Sequence, residues 1–396
     1  MDYTSPPSEE SRQKFKSTIL TMLRSAIKVE LSTIPLYLYS IYSIIKDDGK
    51  GGTQARAKIS VVVHQEMLHL ALAGNLLTSI DSGPHLYSAA SLPTYGGPDD
   101  VILYSKIPLR LERCEKSNLE CFLRIEAPYL APSKLTAEEE SANTGVHDRV
   151  HPVLGALDKF NSIGEFYSEL EDMIKKSAEY ITFKNKDLQF SPTDFFSDKM
   201  TQVTDQKSAH HALKIIIDQG EGSVGVEEAH YQMFLELYMK RTEWTCQPVP
   251  NSPKTETYKE NKLVYELALA FNASYCYLLV TIQKTWQVSD LLFRRGLIGN
   301  IHSIMIDVMT PLAEFMVNEP FQDGKAAPPF EFYDVQAEDP SKVDEAARKL
   351  WAAIQLHLGN AINEVQDAEK KEVLNVIKFS AERIMWPMPR LGHSSV

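Results

Sequence analysis

The stretch from residue 59 to residue 77 constrains the fold of this chain more than any other. Its apolar residues recur at 59, 62, 63, 70, 73, 76 and 77, which is the spacing of a helix with one buried face. Glu66 and His69 lie on the same stripe, because a separation of three residues places two side chains on one helical face. Helical bundles present carboxylate and imidazole ligands to paired metal ions through this Glu-x-x-His spacing. A solvated Glu and a hydrogen-bonded core His would give the same pattern, so the metal hypothesis depends on partners elsewhere.

The first partner is Glu30, on a helix predicted from about Ser8 to Lys46. The apolar stripe of this helix consists of Met22, Ile27, Leu31, Ile34, Leu38, Ile41 and Ile45. Glu30 falls within that stripe, and a buried carboxylate is costly unless it is paired or bound to a metal. Pro35 removes a helical hydrogen bond and predicts a kink. Tyr37 is a candidate pocket or proton-relay residue, with core packing as the alternative.

Further candidates lie near the glycine-rich stretch Gln219-Gly220-Glu221-Gly222. Glu221 extends the stripe of the helix predicted at 205–218, and His230 lies in the stripe formed by positions 226, 233, 234 and 237. Glu227 stands three residues before His230 and could complete a second Glu-x-x-His pair in place of Glu221. The pattern leaves this choice open.

Residues 163–174 form another amphipathic helix, with apolar positions 163, 166, 170, 173 and 174. This period points Glu165 away from the buried face and predicts that its carboxylate is solvated. Tyr167 is a second candidate pocket or relay residue, again with core packing as its alternative.

Composition limits the remaining possibilities. The chain has 396 residues and a net charge of −12, which argues against nucleic acid or an anionic membrane as its main partner. It contains no run of 18 apolar residues, and its start lacks the features of a signal peptide, so we expect no membrane span. Its four cysteines are too sparse for a disulfide framework and favour reduced thiols in a cytoplasmic protein.

Strands are scarce, which predicts an all-α fold of two helical bundles. The expected divisions are a polar tail at 1–9, a helical bundle with a long inter-helix insertion at 10–245, a Pro-rich linker at 246–256 and a C-terminal helical domain at 257–396. The linker carries three prolines in eleven residues, a composition typical of extended connections.

Several motifs together resemble the ferritin-like domain of the iminophenyl-pyruvate dimer synthase family, which acts in violacein- and rebeccamycin-type pathways. They are Glu30 to Tyr39, Glu66-Met67-Leu68-His69, Ile163 to Tyr167, Gln219-Gly220-Glu221-Gly222 and Phe271 to Tyr275. The resemblance spans roughly residues 18–335. It implies a ferritin-like four-helix bundle with a metal site formed by Glu30, Glu66, His69, Glu165, Glu221 and His230. It also implies that Glu165 is a ligand or a mobile carboxylate, despite its helical period.

The hypothesis that follows is a non-haem di-iron enzyme of specialised metabolism that oxidises, couples or cyclises a small organic substrate with O₂. Iron is the expected cofactor, with two ions per chain, and manganese is the alternative. The same bundle could instead serve a non-redox, metal-assisted cyclase or isomerase, or a non-catalytic iron-binding protein. We expect a monomer or small homo-oligomer.

Overall fold

The computed structural model describes residues 9–127, 157, 159–220, 229–336 and 342–387. Helices dominate these residues, and the expected all-α fold is confirmed. The helices are α1 Glu9–Ser43, α2 Gly52–Ile80, α3 Lys116–Ile125, α4 Ile163–Lys176, α5 Gln206–Gly220, α6 His230–Met239, α7 Lys262–Thr285, α8 Leu291–Ser303, α9 Thr310–Met316, α10 Val343–Glu364 and α11 Ala368–Arg383. Short 3-10 turns lie between several of them.

Four two-residue strands form two small antiparallel pairs among the described residues. Strand β1 Val101–Ile102 pairs with β2 Ile107–Pro108, and β3 Pro320–Phe321 pairs with β4 Gly324–Lys325. Such short strand pairs hold connecting loops together and do not form a sheet layer.

Local sequence explains where several helices begin and how one of them is interrupted. The side chains of Ser162, Asn261 and Asp290 accept a hydrogen bond from a backbone N–H in the first turn of α4, α7 and α8 respectively, as N-cap residues do. A π-helical turn at Ile304–Met309 joins α8 to α9. Pro311 follows this turn and lacks the N–H that a regular helix would use there.

The long helices α1 and α2 form the centre of the N-terminal bundle and pack along each other. Helices α4 and α5 pack together, with α4 against α1 and α5 against α2. Helix α3 packs against α6, and α6 contacts α2. Helix α1 runs through Pro35 as one element. The side chains of α1, α2, α3 and α6 therefore meet in one interior region.

The C-terminal helices share a hydrophobic core with the N-terminal bundle. Helices α7 and α10 pack extensively against each other, and one contiguous apolar cluster extends from α1 to the end of α11. The boundary at 246–256 stays a prediction, but this segment is packed: Cys246 forms a β-bridge with Ile44, and Val249 is buried.

Helix α7 is the one described helix that is long and apolar enough to cross a membrane by length and composition. This was not expected from the sequence, which lacks an uninterrupted apolar run of 18 residues. In the structure, 78% of its most apolar window is buried inside the protein. The composition of α7 therefore matches its position as a core helix.

Asn75 connects α2 to the rest of the fold through a fully buried amide. Its Nδ2 donates to the carbonyls of Phe190 and Thr201 at 2.8 and 3.0 Å, and its Oδ1 accepts from the Phe190 N–H and from Trp286 Nε1 at 2.8 and 3.0 Å. Four hydrogen bonds saturate this side chain.

We predict that Asn75→Ala lowers the free energy of unfolding by about 3 kcal/mol, because it leaves several buried polar groups without partners. Urea denaturation measures this loss, with the dependence of the unfolding free energy on urea concentration held equal in the two proteins. The exposed Asn251 supplies the control, since Asn251→Ala should change stability by less than about 0.5 kcal/mol. Equal stability of the two variants would contradict the structural role of Asn75.

Candidate metal centre

Helices α1 and α2 bring the first three ionisable side chains together. Glu30 lies in the middle of α1, and Glu66 and His69 lie one turn apart on α2. The packing of these helices along each other turns all three inward. His69 Nδ1 lies 3.7 Å from Glu30 Oε2 and 4.0 Å from Glu66 Oε1. The structure therefore brings the residues of the opening motif and Glu30 to one place.

Helices α3 and α6 contribute two further ionisable side chains. Glu126 immediately follows the last residue of α3, and His230 is the first residue of α6. His230 Nδ1 lies 2.9 Å from Glu66 Oε1 and 3.3 Å from Glu126 Oε2. The two imidazole rings stack, with centroids 5.4 Å apart. Glu66 thus stands between two histidines that come from different helices.

These five side chains form two overlapping groups of potential metal ligands. One group is Glu30, Glu66 and His69, and the other is Glu66, Glu126 and His230; within each, one ligand atom per residue lies within 4.8 Å of the others. All five residues are between 0 and 4% exposed. Because Glu66 belongs to both groups, the geometry is that of two adjacent sites that share one carboxylate.

Each outer carboxylate accepts a hydrogen bond from a buried tyrosine. Tyr167 donates its hydroxyl to Glu30 Oε1, and Tyr37 donates to Glu126 Oε1. The central Glu66 has its own donor, because Thr33 Oγ1 lies 2.7 Å from Glu66 Oε2. Both predicted relay tyrosines therefore contact a cluster carboxylate directly.

Each histidine is oriented by a glutamine. Gln219 Oε1 lies 3.1 Å from His69 Nε2, and Gln65 Oε1 lies 3.1 Å from His230 Nε2. An amide oxygen accepts hydrogen bonds, so Nε2 carries the proton in both rings. In the neutral imidazole the Nδ1 lone pair then faces the carboxylates. A hydrogen bond on the outer nitrogen commonly fixes a metal-binding histidine in this way.

Burial and mutual repulsion control ionisation in the cluster. Burial and the neighbouring Glu66 raise the pKa of Glu30 well above its ordinary value, and burial also raises the pKa of Glu126 although His230 opposes it. Burial would raise the pKa of Glu66, but hydrogen bonding and charge from His230 outweigh it and lower this pKa to about 2. Burial lowers the pKa of His69 to about 4. For His230, Glu126 and Glu66 outweigh burial and raise the pKa to about 10.

The donor set fits a pair of divalent transition-metal ions. The ion pairs that the three carboxylates make with described residues are all with His69 and His230, so no Lys or Arg in the described ranges neutralises them. Without metal, burial disfavours the charged forms of Glu30 and Glu126, and the neighbouring His230 favours the charged form of Glu66. Mixed carboxylate and imidazole ligands suit iron or manganese.

One predicted ligand, Glu165, is not brought to this cluster, and the candidates Glu221 and Glu227 cannot be placed. Glu165 lies in the first turn of α4, and its side chain is half-buried. Its Oε2 accepts a hydrogen bond from the Asn161 backbone N–H at 2.6 Å, and its own N–H donates to the side chain of the N-cap residue Ser162. This placement follows the helical period and departs from the resemblance. Glu221 and Glu227 lie outside the described residues, so the choice between them stays open.

Glu126 is the ligand candidate that the sequence analysis missed. A signal was present, because Leu119, Phe122 and Glu126 follow the i, i+3, i+7 spacing of one helical face and the two apolar residues are buried. The supporting Thr33 also carried a signal, since it lies three residues after Glu30. Gln65 and Gln219 had no comparable signal, because a glutamine on the helix surface would give the same sequence pattern.

We predict that Tyr167→Phe and Tyr37→Phe each raise the pH at which half of the metal is bound. Each hydroxyl lowers the pKa of its carboxylate, Glu30 or Glu126, and metal binding requires the carboxylate to lose its proton. Loss of one hydrogen bond should shift the midpoint upward by up to about one pH unit. Equilibrium dialysis against Mn²⁺ across pH measures the shift. The surface variant Tyr238→Phe should not move the midpoint, and an unchanged midpoint in both test variants would contradict the assigned contacts.

Comparison with known proteins gives the family. A model described as Ferritin-like matches residues 23–239, which is more than half of the chain. A solved ferritin-like protein from Caulobacter vibrioides is 18% identical, with a TM-score of 0.49, and the match covers 73% of this chain and 93% of that protein.

Two curated relatives match at low identity. Dichlorochromopyrrolate synthase of Lentzea aerocolonigenes is 25% identical over 95% of this chain and 41% of the synthase. The 2-imino-3-(indol-3-yl)propanoate dimerase of Chromobacterium violaceum is 24% identical over 59% of this chain and 24% of the dimerase. The chain therefore spans less than half the length of either relative. These matches confirm the resemblance read from the motifs, and the chain belongs to the ferritin-like family.

Proposed function

We propose that this protein is a metal-dependent enzyme of specialised metabolism that oxidises or oxidatively couples a small organic substrate at a di-iron centre. The observation that carries this proposal is the pair of buried ligand groups that share Glu66. Support comes from relatives that are named a synthase and a dimerase. Because the chain covers only part of those relatives, its substrate is not taken from their names.

The proposed ligands divide into two sets around the shared carboxylate. Glu30 and His69 would hold one ion, Glu126 and His230 would hold the other, and Glu66 would contact both. Bound iron would supply O₂ activation and Lewis acidity. Manganese is the alternative ion for the same donors. A carboxylate from the region of Glu221 or Glu227 would complete the expected set of four.

The protein's own side chains keep this site dry and set the position of its protons. The five proposed ligands are almost fully buried, so bulk water is excluded from the carboxylates. Tyr167 and Tyr37 hold a proton at Oε1 of Glu30 and Glu126 respectively. Thr33 leaves Glu66 Oε1 free to face both histidines, because its hydroxyl occupies Oε2. These contacts fix which carboxylate oxygens are available as ligands.

Metal analysis of single variants tests the ligand assignment. The wild-type protein, purified aerobically, should contain about two iron ions per chain. Glu66→Ala should lose most of the metal, because it removes the shared ligand, and Glu126→Ala should lose at least one ion. Glu165→Ala is the matched control and should keep the wild-type content. Loss of metal in Glu165→Ala with retention in Glu126→Ala would contradict the assignment.

Oxygen uptake tests the redox part of the proposal. The protein loaded anaerobically with Fe²⁺ should consume O₂ faster than the same concentration of Fe²⁺ in buffer, because the bundle supplies a fixed ligand set. Prior addition of a chelator should stop the uptake. An oxygen electrode measures both rates, with Glu66→Ala as the control. Uptake by the wild type no faster than by Glu66→Ala would contradict O₂ activation at this site.

A further inference from the structure

A cleft lies between helix α7, the loop at 89–95, the segment at 254–255 and the segment at 329–334. Its volume is about 470 Å³, which is within the size range of small-molecule sites. The exposed residues Ala89, Thr94 and Asp334 belong to its lining, so the cleft is open to solvent. None of the five proposed metal ligands lines it. The cleft is therefore distinct from the metal centre.

A closed ring of hydrogen bonds fixes the polar part of the lining. The buried Asn272 accepts at Oδ1 from the Glu331 backbone N–H at 2.9 Å and donates from Nδ2 to Thr255 Oγ1 at 2.8 Å. The Thr255 backbone N–H donates to Glu331 Oε2 at 2.8 Å and closes the ring. Asn272 belongs to the motif Phe271 to Tyr275, which lies outside the proposed ligand set. The ring holds the Glu331 carboxylate in one position at the cleft.

Lys254 places a positive charge beside this carboxylate and leaves both groups accessible. Its Nζ lies 3.8 Å from Glu331 Oε1, which is too far for a direct hydrogen bond. Among the described residues, Nζ donates a single hydrogen bond, to the Tyr95 carbonyl at 3.1 Å, although an ammonium group has three N–H donors. The side chains of Lys254 and Glu331 are 46% and 29% exposed, and both line the cleft. A ligand in the cleft can therefore reach two opposite charges that lie side by side.

A strained residue joins this charged pair to an aromatic surface. Phe330 has a φ of 52°, and bulky residues with positive φ are rare and cluster at functional sites. Its ring is buried against Phe271 and Tyr275, with centroids 4.8 and 5.4 Å apart, so core packing holds the unusual conformation. Phe332 and Tyr333 are half-buried and line the cleft. The fixed carboxylate and two aromatic side chains therefore belong to one short segment.

We propose that this cleft binds a small zwitterion with an aromatic side chain, of the α-amino acid class. Its ammonium group would pair with Glu331, its carboxylate would pair with Lys254, and its ring would lie against Phe332 and Tyr333. An α-amino acid carries its two charges on neighbouring groups, which complements opposite charges 3.8 Å apart. A ligand with one charge would complement only one of the two side chains.

Calorimetric titration of the chelator-treated protein with L-phenylalanine tests this inference. The wild-type protein should bind the amino acid saturably. Phenethylamine lacks the carboxylate and 3-phenylpropanoate lacks the ammonium group, so each should bind about tenfold more weakly through the loss of one charge-assisted hydrogen bond. Because metal is absent from the titration, its result does not depend on the proposed redox chemistry.

Charge-removing variants locate the binding site. Glu331→Gln keeps an oxygen for the Thr255 N–H, and Lys254→Met keeps the apolar stem; each should weaken L-phenylalanine binding about tenfold. Glu256→Gln is the matched control, because Glu256 is an exposed carboxylate two residues from Lys254 that does not line the cleft, and it should bind like the wild type. Ala89→Trp should weaken binding by occupying space in the cleft from an exposed position.

Three results would overturn the proposal. They are no saturable heat with the wild type, undiminished binding in both Glu331→Gln and Lys254→Met, or an affinity for phenethylamine or 3-phenylpropanoate equal to that for L-phenylalanine. Circular dichroism checks that each variant is folded. If Glu331→Gln does not fold, Lys254→Met and Ala89→Trp decide the test, since both change side chains on the exposed surface.

Discussion

Three carboxylates that the bundle buries side by side impose the main electrostatic constraint on this structure. Glu30, Glu66 and Glu126 lie where solvation is lost, and buried like charges are costly. The raised pKa values of Glu30, Glu126 and His230 reduce this cost without metal, and divalent cations would relieve it when bound. The hydroxyl and amide groups around the cluster suit either state, because they act on the outer atoms of the ligands. A bundle stabilised only by apolar packing would have no need of this arrangement.

Helical periodicity predicted most of this centre, and the residues it missed show its limits. Glu30, Glu66, His69 and His230 interrupt apolar stripes, so their inward direction could be predicted from the sequence. Local structure explains the departure of Glu165 from the ligand set that the resemblance implied. Its backbone N–H donates to Ser162, the N-cap residue of α4, and its carboxylate accepts from the Asn161 N–H. The carboxylate therefore does not point toward the cluster. At this residue the family resemblance predicted a metal ligand, whereas the helical period predicted a side chain that points away from the buried face. The position in the structure follows the helical period.

The remaining parts of the candidate site could not be predicted from the sequence, because they depend on tertiary contacts. Glu126 is separated from its nearest cluster partner in sequence by 57 residues, and only the packing of α3 against α6 brings it to His230. The glutamine contacts likewise arise between elements far apart in the chain.

Crystallographic anomalous scattering from the Fe²⁺-loaded protein tests the central claim most directly. Two iron peaks are expected, one on each side of Glu66, with Glu30 and His69 at the first peak and Glu126 and His230 at the second. Data collected above and below the iron edge identify the ion as well as its position. A map without iron between these helices, or with iron bound at Glu165 instead, would contradict the account.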